Sequence, residues 1–382
     1  MKKYVKKLAA CVIMGTLSLS LLAGCGKKID KEAVVATVDG EKVPMGVVSF
    51  LARYQQVKVG SMYTGMLGYS SNDFWDNVED EESGETYGDT TVKDVAEQVA
   101  QMYVLRAKAP EYNVTVTDEE KQKIKDAAAA FVEANGDEIL EKIGTSQEDI
   151  ETFLELSTYQ KKIHDEIVKD VDTNVTDEEA QQTTITYSKV SYEADADDET
   201  KNAQKEKAQQ ILDEVLATAD ADMKEIAQGV DEETKTINIH FSTNDPEDDT
   251  VDEILRNAVN GLKDGEVNSS LIEGEDCYYV VRLDKTFDQE ATETKKKSIV
   301  NDREQELYDE TTQKWFDAAS IEEDEKVLKT LKITAKDAYE EKRAGTTAEE
   351  EAAPVETETP SQEETEGAQE TPQETPAEEA AE

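Results

Sequence analysis

The sequence predicts a mostly helical protein with one α+β insert. Apolar residues recur every three or four positions through much of the chain before residue 180 and again after residue 290, which is typical of amphipathic helices. Two strand-like runs, 183–192 and 277–283, enclose helical sequence between those regions. A chain of 382 residues is longer than one hydrophobic core usually serves, so we expect more than one domain.

The first 24 residues resemble a bacterial lipoprotein signal peptide. Four lysines precede an apolar run of roughly fifteen residues, a length typical of signal peptides and too short to span a membrane. The run ends in Leu21-Leu22-Ala23-Gly24-Cys25, which resembles a lipobox. This resemblance implies cleavage before Cys25 and a diacylglyceryl group on its thiol, and two acyl chains anchor a protein durably. We therefore expect a lipid-anchored protein on the extracytoplasmic face of the cell membrane.

The composition is strongly acidic. The formal net charge is −48, and loss of four lysines with the signal peptide makes it −52. Phosphate binding requires clustered lysines and arginines, so no nucleic acid partner is expected. Two acidic runs, 193–199 and 245–249, lack the Gly and terminal Glu of an EF-hand loop and are predicted to be solvated. An anionic membrane surface would repel the chain, so the lipid on Cys25 has to supply the anchorage.

Cysteines and histidines are too few for most site chemistries. Cys11 is lost with the signal peptide and Cys25 carries the lipid, so Cys277 is the only free thiol and no internal disulfide is expected. His164 and His240 are the only histidines and lie in separate segments, which argues against a zinc site or a Ser-His-Asp triad. We expect no metal and no cofactor.

The mature chain is predicted to begin with a strand and two helices. Residues 33–38 are β-prone and end at Asp39-Gly40, a strong turn pair. A helix follows, and after an acidic loop a second amphipathic helix is predicted over residues 91–109, ended by Pro110.

Two similar segments, Asn113–Glu120 and Asn174–Glu179, each place a threonine three residues before a glutamate. This spacing predicts a capping box, and the acidic residues around it favour a helix start through the helix dipole. Between the two segments we predict a helix to about Asn135, a short helix near Leu140 and a long helix from Thr145 to Val171.

Residues 183–287 are predicted to form a compact α+β unit. Its predicted elements are a strand over 183–192, helical sequence over 199–228, a short helix over 251–259 and a strand over 277–283. A long helix from Glu290 through Phe316 then leads to an apolar segment, 327–333. Beyond Arg343 the chain is rich in Ala, Glu, Thr, Gln and Pro without Lys or Arg, which predicts a disordered acidic tail.

Over nearly the whole mature chain, the order of the motifs resembles the PrsA-type foldase lipoproteins, which are similar to the periplasmic chaperone SurA. The motifs are the lipobox, the strand and turn at 35–43, Phe74-Trp75 with Thr86-Tyr87-Gly88, the two Val-Thr-Asp-Glu-Glu helix starts and Leu262–Val267. The resemblance implies a SurA-like helical chaperone module, built from both chain ends, that encloses a parvulin-like peptidyl-prolyl isomerase domain.

The domain organisation that we predict follows this resemblance. It comprises a signal peptide (1–24), a lipidated linker (25–32), an N-terminal helical chaperone domain (33–180), a parvulin-like domain (183–287), a C-terminal helix returning to the chaperone module (288–343) and the acidic tail (344–382).

The site positions of the parvulin family are changed in this sequence. The first strand of the family usually carries Ser-His-Ile-Leu, and Lys189 stands at its histidine; the last strand usually carries Gly-Tyr-His-Ile, and Tyr279 stands at its histidine. Thr250 and Ile254 replace the Met and Phe of the proline pocket. A flexible ammonium cannot reproduce a fixed pair of imidazoles, so we assign no catalytic residue and expect isomerase activity to be weak or absent.

These expectations favour a membrane-anchored foldase that binds unfolded or newly translocated proteins and assists their folding. An active peptidyl-prolyl isomerase is one alternative. A solute-binding lipoprotein is another, and it should show repeated βα units in two α/β lobes. A homodimer is left open.

Overall fold

The computed structural model describes residues 28–67, 74–218, 222–337 and 339. The predicted signal peptide, the lipidation site Cys25 and the predicted acidic tail lie outside the described residues. Within the described ranges, no helix combines the length and apolar character needed to cross a membrane.

Helices account for most of the regular structure in the described ranges. The α-helices are α1 (Met45–Leu67), α2 (Tyr87–Lys108), α3 (Asp118–Ile143), α4 (Gln147–Val168), α5 (Asp177–Ala180), α6 (Asp198–Ala217), α7 (Met223–Val230), α8 (Glu253–Val259), α9 (Gln289–Ala318) and α10 (Glu325–Leu328). The strands are β1 (Val34–Val38), β2 (Glu41–Pro44), β3 (Val78–Asp80), β4 (Glu85–Thr86), β5 (Gln182–Ser191), β6 (Lys235–Ser242), β7 (Glu266–Val267), β8 (Ile272–Glu273), β9 (Cys277–Lys285) and β10 (Ile321–Glu323).

The chain divides into two compact units, and unit 1 contains both ends of the described chain. It comprises residues up to Arg106, residues 115–158 and residues from Ser320 onward. Its antiparallel sheet has the order β10-β1-β2, so a strand from the C-terminal part pairs directly with the first strand. The predicted fold class, a mostly helical module built from both chain ends with an α+β insert, is confirmed.

The first hairpin of unit 1 explains how the two ends meet. Asp39 and Gly40 both have positive φ, at 50° and 86°, so the predicted turn pair closes a tight hairpin between β1 and β2. The Asp39 N–H donates to the carbonyl oxygen of Ser320, and the Ser320 N–H donates to the Asp39 carboxylate, each at 2.9 Å. The turn therefore also holds the start of the C-terminal segment.

Buried polar side chains of α1 fix the C-terminal segment. Arg53 donates a hydrogen bond to the carbonyl oxygen of Lys332 at 2.7 Å, and Gln56 donates to that of Thr334 at 2.9 Å. Both side chains are buried in unit 1. Buried donors without partners are costly, so these bonds specify where the segment lies.

Helix starts follow the predicted capping chemistry. The Thr117 hydroxyl accepts from the N–H of Glu120 at 3.2 Å, and the Glu120 carboxylate accepts from the N–H of Thr117 at 2.7 Å, which completes a capping box. At Thr176 only half of the predicted capping box forms: Thr176 accepts from the N–H of Glu179, whereas the Glu179 carboxylate accepts from Arg303, and α5 is only four residues long. In α3, Gly136 has a non-helical φ of 77°, so the predicted break between two helices in this region is confirmed.

Unit 2 comprises residues 107–114 and 159–319. Its sheet is antiparallel with the order β6-β5-β9-β7, and β8 also pairs with β9. The two sheet faces are covered differently. Helices α6 and α7 pack on one face through Ala208, Ile211, Leu212, Val215, Met223 and Ala227. Helix α8, through Leu255 and Val259, and the preceding residue Val251 cover part of the other face.

Two expectations for the insert are corrected. The helical sequence predicted over 199–228 is two helices, because Asp222 begins α7 by accepting from the N–H groups of Lys224 and Glu225. Residues 236–241, for which no strand was predicted, lie in β6. The domain limits 33–180, 183–287 and 288–343 stay predictions.

Candidate functional site

Lys189 and Tyr279, which the resemblance predicts to correspond to the two parvulin histidines, are direct cross-strand neighbours. Lys189 lies near the end of β5 and Tyr279 near the start of β9, and the antiparallel register pairs them. Opposed residues of such a pair carry their side chains on the same face of the sheet. The fold therefore brings these two predicted site positions together, on the face that α8 partly covers.

The Lys189 ammonium is held in place by an acid and a ring. Its Nζ lies 3.4 Å from a carboxylate oxygen of Asp276 and 6.0 Å from the centroid of the Tyr279 ring. A lysine ammonium donates hydrogen bonds and accepts none. This corner of the site can therefore bind a carbonyl or carboxylate group, but it lacks the acceptor that a neutral imidazole would provide.

Tyr279 is a neutral, buried phenol. Its side chain is only 6% exposed, and its hydroxyl lies 3.4 Å from a carboxylate oxygen of Asp252. Burial first, and then the neighbouring Cys277 and Asp252 groups, raise the pKa of Tyr279 well above its usual range. Burial likewise raises the pKa of the Cys277 thiol, so it is poorly suited to act as a nucleophile.

Thr250 and Ile254, the predicted proline-pocket positions, are both exposed. Thr250 is exposed in the loop before α8, and Ile254 is 40% exposed on the first turn of α8. Their neighbours Val251 and Leu255 are the buried residues that fix α8 against the sheet. Helix α8 is therefore held against the sheet. Thr250 and Ile254, however, differ in size and shape from the Met and Phe that usually form the parvulin proline pocket.

An apolar surface lies on the same face of the sheet as Lys189 and Tyr279. We call it the sheet apolar surface, and it consists of Tyr187, Ile237, Ile239 and Ile272. Tyr187 meets Tyr279 edge to face at 5.5 Å between ring centroids, and Ile237 is 38% exposed. This surface suits contact with apolar side chains, with one charged corner at Lys189 and Asp276.

The histidines lie elsewhere. His164 on α4 packs against Tyr308 on α9, with 5.0 Å between ring centroids, and His240 is exposed on β6. Among the residues that the structure describes, no group of three His, Cys, Asp or Glu side chains is arranged to hold a metal ion.

A second apolar surface lies in unit 1. We call it the helical apolar surface, and it consists of the half-buried side chains Val57, Phe131, Val132, Ile139, Phe153 and Leu154 on α1, α3 and α4. Buried Phe50 lies beneath it and meets Phe131 and Phe153 edge to face, at 5.4 and 5.5 Å between ring centroids. The helical periodicity of the sequence predicted apolar stripes, but not which side chains would stay half open.

No protein-family model matches the sequence, and no curated protein does. Among solved structures, the chain is similar to a SurA-like chaperone of Campylobacter jejuni, with 11% identity over 76% of this chain and 99% of that chain and a TM-score of 0.27. It is similar to foldase protein PrsA from Streptococcus pneumoniae (17% identity, 58% and 84% of the two chains, TM-score 0.27) and to peptidylprolyl isomerase PrsA from Bacillus cereus (13% identity, 81% and 96%, TM-score 0.26).

Proposed function

We propose that the protein is a membrane-anchored extracytoplasmic chaperone that holds unfolded secreted proteins while they fold. The helical apolar surface carries this proposal. Half-buried aliphatic and aromatic side chains from three helices form it, in a chain where 34% of residues are charged. Contiguous apolar patches on a soluble protein are typical of sites that bind other apolar groups. An unfolded client exposes the side chains that such a surface would cover.

The negative charge supports the same function. A formal charge of −48 keeps a complex with an unfolded client soluble and steers basic segments toward the protein. Efficient isomerase chemistry has less support, because Lys189 and Tyr279 supply an ammonium and a neutral phenol. A solute-binding lipoprotein also has less support, because the α+β part of the described chain is built on an antiparallel sheet.

A double substitution on the helical apolar surface tests client holding. Val132→Gln with Leu154→Gln replaces two aliphatic side chains, and glutamine suits both helices. Each lost apolar contact removes roughly 1–3 kcal/mol, so the apparent affinity for an unfolded client should fall at least about tenfold. Light scattering of a chemically unfolded client, titrated with the protein, measures this change.

Val78→Gln is the matched control. Val78 is 52% exposed on β3 in the same unit and lies outside the helical apolar surface, so its loss should leave suppression unchanged. Helix content by circular dichroism should be the same in all three proteins. Equal suppression by the double variant and the unmodified chain would exclude this surface as the client site.

The anchor is tested separately. Cys25→Ala removes the thiol that would carry the diacylglyceryl group, so the protein should leave the membrane fraction or accumulate unprocessed. Fractionation of cells fed a labelled fatty acid measures both outcomes. A substituted protein that stays membrane-bound and labelled would show that lipid is attached elsewhere.

A further inference from the structure

We infer that the free edge of β6 binds an extended, amphipathic client segment as an added strand. The inference rests on the proposed client-holding function and assigns a second site for it. Strand β6 is the terminal strand of the sheet and is eight residues long, which corresponds to roughly 26 Å. Long edge strands present unpaired N–H and C=O groups that can pair with another chain.

The hydrogen bonds around β6 identify which groups point outward. The Thr243 N–H donates to the Gln181 carbonyl oxygen at 2.9 Å, so this residue faces β5. The adjacent Ser242 N–H points the other way and donates to the Asp248 carboxylate at 2.5 Å. Backbone groups of a strand alternate in direction, so the odd residues of β6 pair with β5 and the even ones face away.

Thr236, Asn238 and His240 therefore direct their backbone N–H and C=O groups outward. Within the described ranges, these backbone groups have no hydrogen-bond partner on that side. The Asp248 carboxylate that receives the Ser242 N–H marks one end of the edge, because it occupies the position where an added strand would accept that bond. Three successive outward residues remain for a partner, enough to bind a segment of about seven residues.

The side chains specify an amphipathic strand. Ile237 and Ile239 lie on the sheet apolar surface, whereas Asn238 and His240 lie on the opposite face, where Asn238 donates to the Thr186 hydroxyl at 2.8 Å. A strand added beside β6 continues both faces, because side chains alternate with a period of two. It would place alternate apolar side chains next to the two isoleucines and polar ones next to Asn238 and His240.

Charge at both ends of β6 favours basic flanks on the partner. The strand itself contains no acidic residue. Exposed acidic side chains lie just before it, at Glu232 and Glu233, and just after it, at Asp245, Glu247 and Asp249. The Asp248 carboxylate is not among these groups, because it is already paired with Arg256 at 3.3 Å. Lysine or arginine at each end of a client strand would complement these groups.

Hydrogen exchange on the full chain tests the inference with the peptide acetyl-Lys-Val-Thr-Val-Thr-Val-Lys-amide. Saturating peptide should slow exchange of the Thr236, Asn238 and His240 amides at least about tenfold. Two modified peptides, one N-methylated on the valines and one on the threonines, each lack one of the two alternating sets of backbone N–H donors. Only one set faces β6, so at least one of these peptides should give no protection of the three amides. Replacing both lysines by glutamates should weaken binding at least about tenfold at low salt.

A substitution pair in β6 gives a second readout. His240→Pro removes one outward N–H at an edge position where proline is tolerated, and it should weaken peptide binding about fivefold to tenfold in fluorescence anisotropy. His240→Ala keeps that N–H and should bind within about twofold of the unmodified chain. If the proline variant fails to fold, exchange in the unmodified chain still decides the question.

Three results would overturn the inference. The first is peptide binding that does not protect the three amides. The second is equal affinity of the unmodified peptide and of both N-methylated forms. The third is protection that rises with protein concentration in the absence of peptide, which would assign the edge to a second copy of this chain. Failure of the proposed function is a different result, namely no suppression of client aggregation by the intact protein, and it does not depend on exchange in β6.

Discussion

Gly88→Ala is expected to lower the free energy of unfolding of unit 1 by roughly 3 kcal/mol. Gly88 lies in the first turn of α2, where a Cβ atom would be 1.9 Å from the carbonyl oxygen of Ile333 and 3.2 Å from that of Trp75. Both are main-chain atoms, so rotation of a side chain cannot relieve the clash. The C-terminal segment would have to move away from α2.

That movement exposes apolar side chains that are now buried. Leu328, Leu331 and Ile333 of this segment are each at most 3% exposed. Burial of one such side chain contributes roughly 1.5–3 kcal/mol, whereas alanine gains only about 1 kcal/mol over glycine in a helix. For a unit of this size, calorimetry should show a transition about 6–12 °C lower.

Gly229→Ala is the control for this prediction. Gly229 lies in α7, and a Cβ atom there would meet nothing within 4 Å. This substitution should leave stability unchanged or raise it by up to about 1 kcal/mol. A Gly88→Ala protein that unfolds at or above the temperature of the unmodified chain would show that Ile333 does not pack on α2.

Elements governed by local chemistry could be predicted from the sequence. The Asp39-Gly40 turn and the Thr117 capping box depend on residues within a few positions of each other, and both occur as predicted. The break in α3 also follows from one glycine with positive φ, Gly136. Such features need no knowledge of the rest of the fold.

Short strands were missed in the sequence, and contacts with distant residues could not be foreseen. Strand β2 and the β3–β4 hairpin are short, so they carry little periodic signal. Strand β6 has a usable signal, since Ile237, Ile239 and Phe241 alternate with polar residues. Gly88 was recognised as part of a motif, but the need for glycine there comes from contact with Ile333, which lies far along the chain and could not be foreseen.

The candidate site shows the same division. Lys189 and Tyr279 were predicted as corresponding positions, but their direct pairing depends on the register of β5 and β9. Asp252 and Asp276, which contact Tyr279 and Lys189, were not identified from the sequence. Alternation along β9 could have placed Cys277 beside Tyr279, because residues two apart share a face. The acids come from loops, which carry no such pattern.

Excision of residues 183–287 is expected to keep most client holding while abolishing binding of the extended peptide. The cut ends are adjacent, because the Asp288 N–H donates to the Gln182 carbonyl oxygen at 2.9 Å. A linker of two glycines can therefore join them. Asp288 also caps α9 by accepting from the N–H of Ala291, so the helix keeps its start.

Contacts outside the excised segment keep α9 in place. Arg303 donates to the carbonyl oxygens of Asp172 at 2.7 Å and Asn174 at 3.2 Å, and it pairs with Glu179 at 2.6 Å. His164 and Tyr308 add the ring contact between α4 and α9. None of these contacts uses the sheet, so the helices should remain folded, as circular dichroism would show.

The excised protein separates holding from catalysis because it retains the helical apolar surface and lacks Lys189, Tyr279 and β6. Suppression of aggregation, measured by light scattering, should remain at least about half that of the intact chain, since Val132 and Leu154 are untouched. Loss of holding with the helices intact would assign client binding to the α+β insert. The isomerisation rate of a Xaa-Pro peptide gives the independent check. If the intact chain accelerates this isomerisation efficiently and Tyr279→Phe slows it, the Tyr279 phenol is catalytic and the activity of the protein resides in the α+β insert.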